Sequence, residues 1–175
     1  MLNRECLDSY KDYLERLLES DSDDVFMNSG VEHVNVLLST LFDNTHKTVR
    51  MFSNGLELKG VCGKEEYEKS LKCLIGSDDL EFVKVMLVSQ PNDDNRIYKL
   101  LKESDKVEIK IITPEVQKYL SSNLKYKECN FSVYDDKMFR LEYEPLEYKA
   151  AGSFNFPKMA NALSGIFDEA FKQLS

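Results

Sequence analysis

The chain has 175 residues, enough for one domain with its own core, and its 42% hydrophobic and 31% charged residues are typical of a globular protein. Acidic residues outnumber basic ones by 31 to 23, and the net charge of −8 opposes binding to the phosphate backbones of DNA or RNA. No apolar run approaches the roughly 20 residues of a membrane span, and the N-terminus lacks the apolar core of a signal peptide. We therefore expect a cytoplasmic protein without a membrane segment.

The N-terminal segment has a pattern of its own. Residues 3–20 carry apolar side chains at three- and four-residue spacing with charges between them, which predicts an amphipathic helix. The acidic residues 21–24 break this pattern and predict a solvated linker. We therefore divide the chain into residues 1–24, the amphipathic helix with its acidic linker, and residues 25–175, an α/β domain.

Helical and strand-like segments alternate through the rest of the chain. Helical spacing predicts helices over 30–43, 64–75 and 95–102, another that begins at Thr113-Pro114, and a final one over about 157–174. Apolar or alternating runs predict strands over 47–53, 82–88, 107–112, 130–133, 138–143 and 148–154. Residues 134–137 form the expected hairpin turn. This order predicts an α/β sandwich with a mixed sheet.

Cysteine and histidine are too scattered to suggest a metal site. The sequence contains no CxxC pair, and its four cysteines are Cys6, Cys62, Cys73 and Cys129. We expect reduced, mostly buried thiols, and neither a metal nor a cofactor. His33 and His46 are the only histidines, and their positions favour surface or capping roles.

One distinctive motif, Gly152-Ser153-Phe154-Asn155, lies where the last strand meets the final helix. Glycine permits close approach of the backbone to a ligand or a neighbouring strand, and serine and asparagine carry short hydrogen-bonding groups. The N-terminus of the following helix presents free N–H groups and a partial positive charge, which favour an anion such as phosphate. The alternative is a helix cap in which Ser153 or Asn155 satisfies backbone donors.

With the preceding segment MFRLEYEPLEYKAA, this motif resembles the second half of a phospholipase D-like domain. That superfamily carries His-any-Lys on one strand and, after a hairpin, a Gly-Ser-any-Asn turn that leads into a helix. The upstream order of helices and strands agrees, so the resemblance covers about residues 30–174. It implies a mixed β-sheet sandwiched by helices, with the segment before residue 25 adding an extra N-terminal helix.

The resemblance also assigns motif positions. It places Met138 at the position of the family's histidine and Arg140 at that of the lysine, while Ser153 and Asn155 match the serine and asparagine. The family's aspartate falls at about Pro145. In active members the histidine attacks phosphorus, which a thioether cannot do, so we expect no catalytic residue here. Arg140 keeps a positive charge suited to phosphate.

Three functions follow. The leading hypothesis is a catalytically inactive phospholipase D-like domain that serves as a protein-interaction or regulatory subunit, with a second copy, another phospholipase D-like subunit or a different protein as its partner. By analogy, such proteins are accessory components of bacterial defence or mobile-element systems. One alternative is a phosphate- or nucleotide-sensing pocket formed by Arg140, Gly152, Ser153 and Asn155. The other is an active phosphodiesterase or nuclease with a non-standard site.

Overall fold

The computed structural model describes residues 4–124, 126 and 128–174. Within these residues the chain forms six α-helices, which are α1 (Arg4–Ser20), α2 (Val31–Asp43), α3 (Glu65–Ile75), α4 (Arg96–Lys102), α5 (Pro114–Leu124) and α6 (Pro157–Lys172). The strands are β1 (Phe26–Asn28), β2 (Thr48–Ser53), β3 (Phe82–Leu87), β4 (Val107–Ile111), β5 (Asn130–Tyr134), β6 (Met138–Glu144) and β7 (Lys149–Ser153). Short 3₁₀ helices span Val61–Gly63 and Pro145–Glu147.

The seven strands form one mixed sheet in the order β1-β7-β6-β5-β2-β3-β4. Strands β2, β3 and β4 pair in parallel, and the remaining neighbours pair antiparallel. Parallel neighbours need long crossovers, which α3 and α4 provide, whereas the tight turn between β5 and β6 suits an antiparallel hairpin. Asp135 and Asp136 occupy that turn at φ values of 53° and 51°, the left-handed conformation that such turns require.

Helices cover both faces of the sheet and so create two hydrophobic cores. The first core lies under α1 to α4 and includes Leu14, Phe42 and Val49. The second core lies under α5 and α6 and includes Phe52 and Phe167. Successive side chains of a strand point to opposite faces, so Val49 and Phe52 enter different cores. The predicted mixed sheet sandwiched by helices, with an extra N-terminal helix, is confirmed.

The predicted helices and strands agree with the structure to within one or two residues at most ends, but β1 was not predicted. Residues 1–3, 125, 127 and 175 of the predicted segments lie outside the described residues. In the structure Leu14 of α1 is fully buried in the first core. The boundary between residues 1–24 and 25–175 stays a prediction, although α1 packs against α2 rather than standing apart.

The cysteine expectation needs a correction. All four thiols are free, but Cys6 and Cys73 are exposed, Cys62 is half-buried and only Cys129 is buried. The two exposed cysteines lie on the solvent-facing sides of α1 and α3, where the apolar stripe is formed by other side chains. In the described part of the chain, no helix has the length and apolar character needed to span a bilayer.

Candidate functional site

Strands β6 and β7 bring the two halves of the sequence motif together. They are antiparallel neighbours, with Arg140 opposite Gly152 and Phe139 opposite Ser153. The strand that carries Met138 and Arg140 therefore lies beside the strand that ends in the Gly-Ser-Phe-Asn turn. This is the arrangement that the resemblance predicts, and it rests on pairing between residues that are about a dozen positions apart.

Met138, at the position expected for a nucleophilic histidine, is a core residue. Only 4% of it is exposed, and it belongs to the first core together with Tyr134 and Phe154. Tyr134 lies directly opposite it on β5, so both side chains occupy the same face. A thioether in this setting packs as a flexible apolar group and offers neither a nucleophile nor a proton.

Arg140 is buried and is neutralised by the protein itself. Its Nη2 donates to Glu142 Oε1 at 2.6 Å, and its Nε donates to Asn28 Oδ1 at 3.4 Å. The second carboxylate oxygen of Glu142 accepts from Asn130 Nδ2. Asn28 in turn donates from Nδ2 to the Tyr148 carbonyl at 2.9 Å. The guanidinium that would bind phosphate is therefore held in an internal ion pair with hydrogen-bonded neighbours.

Burial changes the pKa values of two tyrosines near this pair. Burial raises the pKa of Tyr134 to about 12, although the Ser132 hydroxyl and the Arg140 charge offset part of the rise. Burial likewise raises the pKa of Tyr10 on α1, and the Arg140 charge again opposes it. The phenol oxygen of Tyr10 is buried and has no hydrogen-bond partner among the described residues. The charge of Arg140 thus acts on α1 as well as on the sheet.

Gly152 is required by packing. A Cβ at this position would lie 2.4 Å from the Phe139 carbonyl oxygen and 2.6 Å from the Phe26 ring. Phe26 is fully buried, and its ring centroid lies 5.0 Å from that of Phe154. The aromatic ring of Phe26 therefore occupies the space above Gly152 on the first-core face.

Asn155 and Ser153 make contacts within the chain. Asn155 Nδ2 donates to the Asp21 carbonyl at 2.6 Å, and its backbone N–H donates to Ser153 Oγ at 3.2 Å. Lys137 Nζ lies 2.7 Å from Asp21 Oδ1. The start of the acidic stretch is thus tied to the motif turn, and only the residues after Asp21 match the expectation of a solvated linker.

Of the four candidate phosphate ligands, the structure pairs Arg140 with Gly152 and places Ser153 on the other face of the sheet. Arg140 and Gly152 are paired and face the first core, whereas Ser153 is paired with Phe139 of the second core. Because side chains alternate along a strand, Ser153 and Arg140 point to opposite faces of the sheet. A shallow groove of about 410 Å³ runs beside the turn and is walled in part by Met138, Phe154 and Asp21.

Sequence reasoning missed Glu142, Asn28 and Asn130 as members of this cluster. A signal for Glu142 was present, because Arg140 and Glu142 are two residues apart on one strand and must share a face. No comparable signal existed for Asn28, which is 112 residues from Arg140.

Neither histidine lies on β6 or β7, although His46 lines the same groove as Met138. His33 on α2 packs on the Tyr10 ring at 4.5 Å, and His46 is exposed before β2. Among the described residues, no three His, Cys, Asp or Glu side chains are grouped so that they could hold a metal ion. Neither imidazole lines the pairing between β6 and β7, which leaves Met138 without a substitute on its own strand.

Comparison with known proteins gives matches at the level of structure. No protein-family model matches the sequence, and no curated protein matches it. NucT from Helicobacter pylori is similar with a TM-score of 0.62 and 9% identity, over 86% of this chain and 97% of that one. Nuc from Salmonella typhimurium, a phospholipase D family member, is similar with a TM-score of 0.58 and 13% identity, over 87% of this chain and 96% of that one.

A third similar structure is TrmBL2, an archaeal chromatin protein that shows a novel mode of DNA binding. Its TM-score is 0.56 at 12% identity, over 98% of this chain and 65% of that one. At these identities the likeness concerns the fold. The strand order, the pairing of β6 with β7 and the likeness to Nuc agree, and the chain has the phospholipase D-like fold.

Proposed function

We propose that this chain is a phospholipase D-like domain without the catalysis of its family, and that it serves as a protein-interaction or regulatory subunit. The observation that carries this proposal is the chemistry at the motif. Met138 stands where the family's mechanism needs a nucleophilic imidazole, and it is buried in the first core. On the same face, Glu142 is held in the ion pair with Arg140, and burial raises the pKa of Tyr134 to about 12. His46 lines the same groove as Met138 but precedes β2 instead of lying on β6.

The surroundings of Arg140 support the proposal. An anion would have to compete with the Glu142 carboxylate, which lies 2.6 Å from the guanidinium and is itself buried. Burying the negative charge of a bound anion together with that of Glu142 beside one arginine is costly in a low-dielectric interior. This argues against the alternative of a phosphate- or nucleotide-sensing pocket, and it favours a structural role for the motif residues.

The charge of the molecule favours a protein partner. The net charge of −8 opposes the counterion release that drives binding to DNA or RNA. TrmBL2, of similar fold, is described as binding DNA, whereas the net charge of this chain is negative. The free thiols fit the reducing cytoplasm. By analogy, the proposal includes an accessory role in bacterial defence or mobile-element systems.

The test is hydrolysis of bis(p-nitrophenyl) phosphate and of single- and double-stranded DNA by the purified chain. We expect no hydrolysis above that of the Asn155→Ala variant, which removes the motif amide but leaves the core intact. Hydrolysis that persists through purification and disappears in Asn155→Ala would establish an active phosphodiesterase and overturn the proposal. A thermal melt of both proteins confirms that the variant is folded.

A further inference from the structure

The two edges of the sheet differ in how they are protected. Edge strands in soluble proteins commonly carry charged side chains that discourage pairing with another chain. Strand β4, at one edge, carries Glu108 and Lys110. Strand β1, at the other edge, has the sequence Phe-Met-Asn, and its central Met27 is 57% exposed. The β1 edge is therefore short but has no charge of its own.

An apolar surface continues from this edge across the sheet. Phe26 points into the first core, so Val25 and Met27 face the opposite side. Met27 lies opposite Ala151 on β7, and Ala151 lies opposite Leu141 on β6. Helix α6 packs over β2, β5 and β6. Beyond it, Leu141 and Ala151 are half-buried, and Met27 at the edge is exposed. We call Val25, Met27, Ala151 and Leu141 the β1 surface.

Carboxylates lie at both ends of the β1 surface. Asp23 and Asp24 directly precede Val25, are exposed, and form no ion pair within the described part of the chain. At the other end Glu144 and Glu147 are exposed and share a single cation, Lys149, at 3.0 and 2.7 Å. Four carboxylates therefore flank the surface, and the ammonium group of Lys149 pairs with two of them. This excess favours a partner with basic residues and opposes a second acidic copy of the chain.

We propose that the β1 surface binds an extended segment of a partner protein, which adds as a strand to β1 and alternates apolar with basic side chains. Addition of a strand satisfies the free backbone groups of β1. Its apolar side chains would cover Met27 and Ala151, and its basic ones would reach the carboxylates at either end. The inference rests on the proposed role as a protein-interaction subunit and identifies the surface and the partner chemistry.

The test selects short random peptides displayed on phage against the full chain, followed by affinity measurements on the enriched sequences. We expect enriched peptides that alternate β-branched or aromatic residues with lysine or arginine. Met27→Lys should weaken their binding by about tenfold or more, as loss of a central apolar contact does. The matched control is Ile111→Lys, which makes the same change of charge on the opposite edge strand and should leave binding within about twofold.

A second variant tests the charge complementarity. Asp23→Asn with Asp24→Asn should weaken binding of the same peptides and flatten its dependence on salt, because one end of the carboxylate flank is neutralised. Enriched peptides without basic residues would overturn the proposal, as would binding that Met27→Lys leaves unchanged. Light scattering that shows a dimer abolished by Met27→Lys would assign the surface to a second copy and equally overturn it.

Different results would contradict the peptide-binding proposal for the β1 surface and the proposed function of the domain. Phosphodiester hydrolysis by the wild-type chain would contradict the inactive-domain proposal and leave peptide binding at β1 unaffected. Peptides that bind Met27→Lys as tightly as they bind the wild-type chain would contradict the proposal for the β1 surface. The inactive-domain proposal would be unaffected by that result. Thermal melts of Met27→Lys and Ile111→Lys, whose side chains are both exposed, show that the variants are folded.

Discussion

Arg140 and Glu142 show how two charged residues can serve the interior of a protein rather than a ligand. Each is at most 5% exposed, and their side chains meet at 2.6 Å. Taking both groups out of water is costly, and the cost is offset only if every polar atom finds a partner. Asn28 and Asn130 supply those partners from β1 and β5. The pair therefore ties three strands together through side chains.

We predict that Glu142→Ala destabilises the fold by about 3–5 kcal/mol, because it leaves the Arg140 charge buried and uncompensated. Urea denaturation measures the change in the free energy of unfolding. The control is Glu81→Ala, which removes the carboxylate of an exposed ion pair with Lys47 at 3.7 Å and should cost less than about 1 kcal/mol. Equal effects of the two substitutions would show that Arg140 is hydrated or paired elsewhere.

At the scale of elements, helix α1 is part of the folded body. Its apolar stripe predicts an amphipathic helix but does not say what the stripe contacts. In the structure Leu14 is fully buried in the first core, and the residue after the helix, Asp21, is held by Asn155 and Lys137. The apolar face of the helix therefore packs against its own chain.

We predict that Leu14→Ala lowers the free energy of unfolding by about 3 kcal/mol, since it removes a fully buried side chain and leaves a cavity. The neighbouring Tyr13 is 37% exposed, and Tyr13→Ala should cost less than about 1 kcal/mol. Chemical denaturation of the two variants measures the difference. If Leu14→Ala were as mild as Tyr13→Ala, α1 would not be docked on the core in solution.

For the whole molecule, the thiols of the half-buried Cys62 and the buried Cys129 make stability depend on alkaline pH. Burial raises the pKa values of Cys62 and Cys129 from 9.0 to about 11. The folded chain therefore holds protons that the unfolded chain releases. A group with a raised folded pKa stabilises fully below its unfolded value and loses that stabilisation as the pH approaches its folded value.

We predict that the free energy of unfolding falls as the pH rises from about 9 toward 11, the interval between the unfolded and folded pKa values of these two thiols. Urea titrations at several pH values measure the slope. Cys62→Ala with Cys129→Ala should reduce it, whereas Cys6→Ala with Cys73→Ala, at the two exposed cysteines, should not. A free energy of unfolding that stays constant over this interval would contradict the prediction.

Local patterns were enough for most of the architecture. Apolar periodicity located the helices and strands, and the Asp135-Asp136 turn marked the hairpin, because each depends on residues close in the chain. Strand β1 was not predicted, because its three residues are too few to show an alternating pattern. The expectation that the strand of Met138 and Arg140 lies beside the Gly152–Asn155 turn came from the resemblance to phospholipase D-like domains, and the pairing of β6 with β7 agrees with it.

The sequence by itself determined the mixed α/β order and the absence of a histidine at position 138. Only the tertiary structure decided what the charged motif residues contact. Asn28 accepts a hydrogen bond from Arg140, which is 112 positions away in the sequence, and the Asp21 carbonyl accepts one from Asn155, which is 134 positions away. Such contacts depend on how the chain returns to β1, β6 and β7 rather than on any local period. The physical reason is that periodicity reports which face of an element is apolar, whereas a buried charge is defined by the groups that surround it in space.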